Sequence, residues 1–167
     1  MTVVLVEGES DRRAVEALAR RRGRDLGAEG ISIVVLGGAQ AVGQQVDRLQ
    51  GSHRLVGLCD LGEERYFRRA FERVGGTFFV CDRDLEDELI RALGVEAVEE
   101  VLGVRHELGR FRSFQRQPAW RGRNPEEQLR RFFGTYSHRK IEIGAMLVDA
   151  LDLDRVPQPL DGVLAAV

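Results

Sequence analysis

The sequence predicts an α/β fold: a four-stranded, mainly parallel sheet flanked by helices, followed by a helical C-terminal extension. Two observations predict the sheet. Four short apolar runs alternate with segments whose apolar residues recur at helical spacing, the pattern of βαβ units. The first run, VVLV at residues 3–6, is apolar without alternation, as a strand covered on both faces requires. A third observation predicts the extension, because beyond about residue 95 only helix and loop patterns remain.

The elements follow in order. Strands are expected at residues 3–6, 31–36, 55–59 and 77–80. A helix over 11–22 carries Ala14, Val15, Leu18 and Ala19 on one face and is ended by Gly23 and Gly27. A second over 39–49 carries Val42, Val46 and Leu49, and a third over 63–74 carries Phe67, Ala70, Phe71 and Val74 before Gly75 and Gly76. After the fourth strand, DRDLEDELIRALG opens a helix on Leu85, Leu89, Ile90 and Leu93. Helices over 95–102, 125–133 and 138–151 and a tail at 157–167 complete the chain, interrupted by Pro118 and Pro125. The expected division is an α/β domain over 1–103 and a basic, mostly helical extension over 104–167 packed on it. There is no internal repeat and no low-complexity segment.

Composition narrows the function classes. At 167 residues, 43% hydrophobic and 31% charged, the chain is long enough to bury a core and has the make-up of an ordinary globular protein. No apolar run approaches the roughly 20 residues of a membrane span, and Met1-Thr2 lead into a strand rather than a signal peptide. Cys59 and Cys81 sit in apolar stretches without metal-ligand spacing, which predicts reduced core thiols and a cytoplasmic location. A net charge of −2 excludes an indiscriminate nucleic-acid binder. Its distribution does not exclude an anionic partner: residues 1–103 balance at −5, whereas 104–140 carry 10 basic and 3 acidic side chains. Of the 25 basic residues, 24 are arginine and one is Lys140.

In open parallel sheets, sites form at the carboxyl ends of the strands. There the sequence places Glu7 after strand one, Asp60 after strand three, and Asp82, Asp84 and Glu86 after strand four. Asp11 lies one helical turn beyond Glu7 and faces the same crevice, with Glu9 directed to solvent. Carboxylates gathered without basic partners repel, and a cation among them relieves that cost. Oxygen donors with no His or Cys alternative at ligand spacing point to Mg²⁺ or Mn²⁺ rather than zinc. Each acid also admits a plainer reading. Asp84 with Asp87 three residues on is a helix cap with an acid at its third position, Ser10 can cap the first helix, and Asp60 can open a turn before Gly62.

These residues resemble the TOPRIM fold, the metal-binding module of type IA and II topoisomerases, bacterial primases and certain nucleases. VEGESD resembles its first motif, a glutamate at the end of strand one, and GLCDLG stands at its second, Asp-x-Asp, after strand three. DLEDEL resembles the third acidic motif of the overcoming-lysogenization-defect (OLD) nucleases, in which a lysine near the C-terminus completes the site. SHRKIEIGAMLVDAL offers Lys140 at that place. The resemblance implies Glu7, Asp11, Asp60, Asp84 and Glu86 as metal ligands, with Glu7 and Lys140 as catalytic residues. It departs at Gly62, where the second aspartate is missing, leaving the second metal position one ligand short. The ATPase domain that most OLD nucleases carry is absent from this sequence, so an ATPase is expected as a separate partner.

The basic stretch RHELGRFRSFQRQPAWRGR interleaves Arg105, Arg110, Arg112, Arg116, Arg121 and Arg123 with Phe111, Phe114 and Trp120. Arginines for phosphates and aromatics for stacking suit a strand of nucleic acid, DNA first, guided to the acids, with Arg110, Arg112, Arg116, Arg121 and Arg123 as its contacts. In the plainer reading the aromatics are core and the arginines a solvated face. The expected function is a metal-dependent nuclease of the TOPRIM/OLD type, an endonuclease-like phosphodiesterase. The alternatives are a catalytically weakened TOPRIM module that binds nucleic acid or a partner protein without cleaving, and, more remotely, a phosphoacceptor signalling domain. The third would leave DLEDEL without a role. Topoisomerase strand passage is excluded, since 167 residues cannot supply the other domains and only Tyr66 and Tyr136 offer a phenol.

Overall fold

The computed structural model describes residues 1–135 and 137–167, without the side chains of 137–140. Its sheet consists of β1 (Thr2–Val6), β2 (Ile31–Val35), β3 (Arg54–Asp60) and β4 (Thr77–Cys81) in the order β2-β1-β3-β4, all parallel. Register runs from Thr2 opposite Ile31 and Arg54 to Asp60 opposite Cys81. The chain leaves β1 in one direction to reach β2, then returns past β1 to build β3 and β4. Right-handed crossovers in opposite directions put helices on opposite faces. Accordingly α1 (Glu9–Arg21) covers one face, with Val4, Val6, Val56 and Leu58 beneath it, whereas α2 (Val42–Leu49) and α3 (Glu64–Phe71) cover the other over Val3, Leu5, Leu55 and Cys59. The strands are apolar without alternation because both faces are buried.

The second half of the chain adds α4 (Leu85–Leu93), α5 (Val95–Val104), α6 (Leu108–Gln115), α7 (Pro125–Phe133), α8 (Ser137–Ala150) and α9 (Gln158–Ala165). Ile143, Leu147, Leu160 and Val163 from these helices share one apolar core with β1, β3, β4 and α1. Aromatic rings continue that core outward: Phe111, Phe114, Phe132 and Phe133 pack ring to ring. Helix α6 lies within the stretch read from sequence only as basic and aromatic. Its buried residues are Phe111 and Phe114, three apart in eight residues, too little to stand out as a period. No helix among the described residues is long and apolar enough to cross a membrane.

Two helices approach so closely that only a hydrogen fits between them. A Cβ added at Gly144 of α8 would lie 2.5 Å from the Ser10 carbonyl oxygen of α1 and 2.9 Å from its Oγ. At Gly62, by contrast, a Cβ meets nothing within 4 Å. Gly144→Ala is therefore expected to destabilise the chain by about 1–3 kcal/mol despite the better helix propensity of alanine. Gly62→Ala should stay within about 0.5 kcal/mol of the parent. Thermal melts of the two variants beside the parent check this, and equal losses would show that the close approach carries no cost.

Candidate active site

The strand order reverses between β1 and β3, so their carboxyl ends diverge around a crevice, the usual ligand position in a doubly wound sheet. A cleft of about 1000 Å³ opens there. Glu7, Asp11, Asp60, Asp84 and Glu86, predicted from three strand–helix junctions and one helical turn, all line it. Glu7 follows β1 directly, and one of its carboxylate oxygens is fully buried. Asp60 is the last residue of β3. Asp84 and Glu86 follow β4 through Arg83, whose φ of +91° turns the chain sharply into α4.

Local bonds fix several of these side chains. Helix α1 begins two residues earlier than the apolar pattern indicates, with Gly8 as its N-cap. Asp11 is its third residue, and its Oδ2 accepts from the Gly8 N–H at 2.8 Å. Ser10, a candidate cap by sequence, is instead buried beneath α8. Glu9 accepts from Arg12 and Arg13 along the helix. Asp84 is the N-cap of α4, its Oδ1 accepting from the Asp87 N–H at 2.8 Å. Its Oδ2 accepts from Arg130 Nε at 2.8 Å and also from Nη2. Asp84 thus caps α4 and bonds Arg130 while lining the cleft.

Electrostatics mark the cluster as strained. Burial, then the charge of Glu86, with Glu7 and Asp84 behind it, raises the Asp11 carboxyl to about 7, against the lowering effect of the Gly8 N–H. Burial followed by the charges of Asp11, Glu7, Asp84 and Glu86 raises Asp60 to about 8. The Arg130 guanidinium is held protonated chiefly by its hydrogen bond to Asp84. Burial pushes the Cys59 thiol up to about 12 and Cys81 still further up, which removes both as nucleophiles at neutral pH.

The facing wall comes from the extension: Arg123, Arg130 and Arg131, with Trp120 between Phe114 and the cleft. Of the arginines expected from sequence to meet nucleic acid, only Arg123 lines the cleft. Arg112 is bonded bidentately to Glu99 at 2.8 and 2.6 Å, and Arg110 lies 3.5 Å from Glu107. Arg116 bonds Ser113 and Arg121 bonds the Arg116 carbonyl. Arg130 and Arg131 were missed. Their signal was the helix NPEEQLRRFF, in which Leu129, Phe132 and Phe133 take the core and leave both arginines on its flank. Lys140 belongs to α8, one residue before the cleft-lining Ile141, but its side chain lies outside the described residues.

Comparison with known proteins agrees with this geometry. Residues 1–51 match the family described as "Overcoming lysogenization defect protein-like, TOPRIM domain". The C-terminal region of the Burkholderia pseudomallei OLD protein superposes with a TM-score of 0.71 at 18% identity, covering 98% of this chain and 94% of that one. The fold is that of the OLD C-terminal region. The corresponding region of the Xanthomonas campestris pv. campestris OLD protein gives 0.73 at 22% identity, over 99% of this chain and 93% of its own. No curated protein sequence matches. The OLD-like TOPRIM stretch spans β1, α1, β2 and α2, the segment that delivers Glu7 and Asp11.

The donor set of the cleft is all oxygen, and two of its carboxyls, Asp11 and Asp60, are raised by burial and by the charges of neighbouring carboxylates, which fits a hard cation. Among the described residues no three His, Cys, Asp or Glu side chains are already drawn into a metal-holding cluster. A carboxyl whose pKa is higher in the fold than in the unfolded chain favours folding below its ordinary value. That contribution disappears as pH rises through its folded value. In chelator, the melting temperature should therefore fall between pH 5 and pH 9. At the upper end Asp60→Asn should melt above the parent, by roughly 2–4 °C for each kcal/mol of relieved repulsion. Parallel pH profiles for the two proteins would refute the crowding.

Proposed function

We propose that the chain is a divalent-metal-dependent phosphodiesterase that cleaves nucleic acid, DNA first. The observation that carries this is the two-walled cleft: Glu7, Asp11, Asp60, Asp84 and Glu86 from three strand–helix junctions on one side, with Arg83 beside them, and on the other the arginines of α7 and its preceding loop, with Glu127. Glu7, Asp11, Asp60 and Glu86 would hold Mg²⁺ or Mn²⁺, with Asp84 beside them. Such ions, when bound, supply a water nucleophile at neutral pH and neutralise charge on the phosphoryl group. The chain's own residues do the rest. Asp84, fixed by the Asp87 N–H, orients Arg130 across the cleft. Arg123 and Arg131 offer guanidinium groups to flanking phosphates. Lys140 is assigned to the charge that builds on the reacting phosphate, a task for a compact ammonium. Full-length OLD proteins join this module to an ATPase, and an ATPase is the proposed partner of this one.

A second reading, a TOPRIM module that binds without cleaving, is favoured by Gly62, which stands where the second aspartate would be. Cleavage of labelled single- and double-stranded DNA and RNA in Mg²⁺ and Mn²⁺ separates the two. Wild type is expected to cleave, and Glu7→Ala and Lys140→Ala to lose at least about 100-fold. Gly62→Asp, which enters open space, should fold normally and raise the rate in low metal. No cleavage, with Mn²⁺ still raising the melting temperature of wild type but not of Glu7→Ala, would establish the binding module instead.

A further inference from the structure

The loop between α6 and α7, RQPAWRGRN, lends Trp120 and Arg123 to the cleft wall, and this loop is built rather than loose. The Trp120 and Arg121 N–H groups both donate to the Gln117 carbonyl at 2.9 Å, and the Arg123 N–H donates to the Trp120 carbonyl at 3.1 Å. Gly122 takes a φ of +74°, and Asn124 caps α7 through its side chain. Beneath the loop lies Gln128, only 4% exposed, a costly place for an amide unless both ends are bonded. Its Nε2 donates to the Trp120 carbonyl at 2.7 Å and its Oε1 accepts from Gln115 at 2.8 Å. The indole itself stacks on Phe114, centroids 5.2 Å apart at 27°. A buried amide, an aromatic support and a turn thus hold one half-buried tryptophan in the wall of a charged cleft.

We propose that this cleft takes an unpaired nucleic-acid strand, with one base stacked on Trp120 and adjacent phosphates held by Arg123 and Arg131. The choice of nucleic acid as ligand rests on the phosphodiesterase reading; the choice of an unpaired strand rests on the loop. One indole face is spent on Phe114 and the Arg123 guanidinium lies over the ring, 5.9 Å from its centroid, so a base gains the cleft-lining part of the ring by displacing Arg123 toward its phosphate. A base inside a duplex is already stacked on its neighbours and cannot enter; an unpaired one can. The opposite wall is acidic, so the backbone must be carried on the arginine side. There Arg131 is exposed and makes no ion pair among the described residues, and the Arg123 guanidinium lies 5.9 Å from the indole centroid. Arg130 is committed to Asp84.

Trp120 is the sole tryptophan of the chain, so its fluorescence reports this contact alone. Short oligo(dT), oligo(U) and a blunt DNA duplex are titrated into the full chain, once in EDTA and once in Ca²⁺. Quenching by a single strand but not by the duplex is expected, and the dT and U arms tell DNA from RNA. By anisotropy of a labelled oligonucleotide, Trp120→Leu should weaken binding about 5- to 150-fold and Trp120→Phe much less. Arg131→Gln should lower the salt slope by about 0.7. Melting curves confirm that each variant is folded. Quenching by the duplex equal to that by single strands, or no quenching in either buffer, overturns the proposal. So does binding that Trp120→Leu leaves intact. Quenching without cleavage in Mg²⁺ would overturn the phosphodiesterase reading and leave the strand site standing; cleavage without quenching would do the reverse.

Discussion

Like charges held close together in a half-buried crevice are the constraint around which this molecule is arranged. Five carboxylates converge because a parallel sheet delivers every strand's carboxyl end to the same edge, and because the chain reverses direction between β1 and β3. The backbone cannot relieve the crowding without abandoning the sheet. Relief comes from outside it. Arg130 reaches Asp84 from 46 residues away, and the Gly8 N–H supports Asp11. The elevated carboxyls of Asp11 and Asp60 measure what is left over. An acidic cluster so incompletely compensated is a standing invitation to a cation.

Seen this way, the helical second half is more than an attachment. Helices α8 and α9 finish the core on the face that α1 begins, and α7 adds Arg130 and Arg131 to the single arginine, Arg83, that the α/β unit places in the cleft with its acids. The same helices therefore supply both burial and charge balance. Among the arginines of the extension the division of labour is clear. Arg112 ties α6 to Glu99 of α5, whereas Arg123 and Arg131 face the cleft.

Glu7, Asp60 and Glu86 were legible in the sequence because each sits beside an apolar run, and strand ends can be read from composition alone. The sheet and its flanking helices were legible for the same reason. Helix α6 was not, since two buried phenylalanines in eight residues make no period. Asp84 could be read as cap or as cleft residue, and its geometry includes both because its two oxygens face different partners. The roles of Arg130 and Arg131 were hidden for a different reason. Choosing the cleft-facing members of a set of 24 arginines requires knowing where α7 lies in space, and long-range placement leaves no local trace.

The contact between Gly144 and Ser10 acts as a mechanical stop. Two helices that touch through backbone cannot slide past one another by a fraction of a turn, as helices separated by pliable side chains can. Ser10 stands three residues beyond Glu7, and Gly144 stands one helical turn beyond Lys140 along α8. The interval between the start of α1, just beyond Glu7, and the backbone of α8 is thus gauged by a residue that has no side chain. A change of one methyl group at that point would detune the site through the backbone of its own wall, where Ser10 and Ile143 line the cleft.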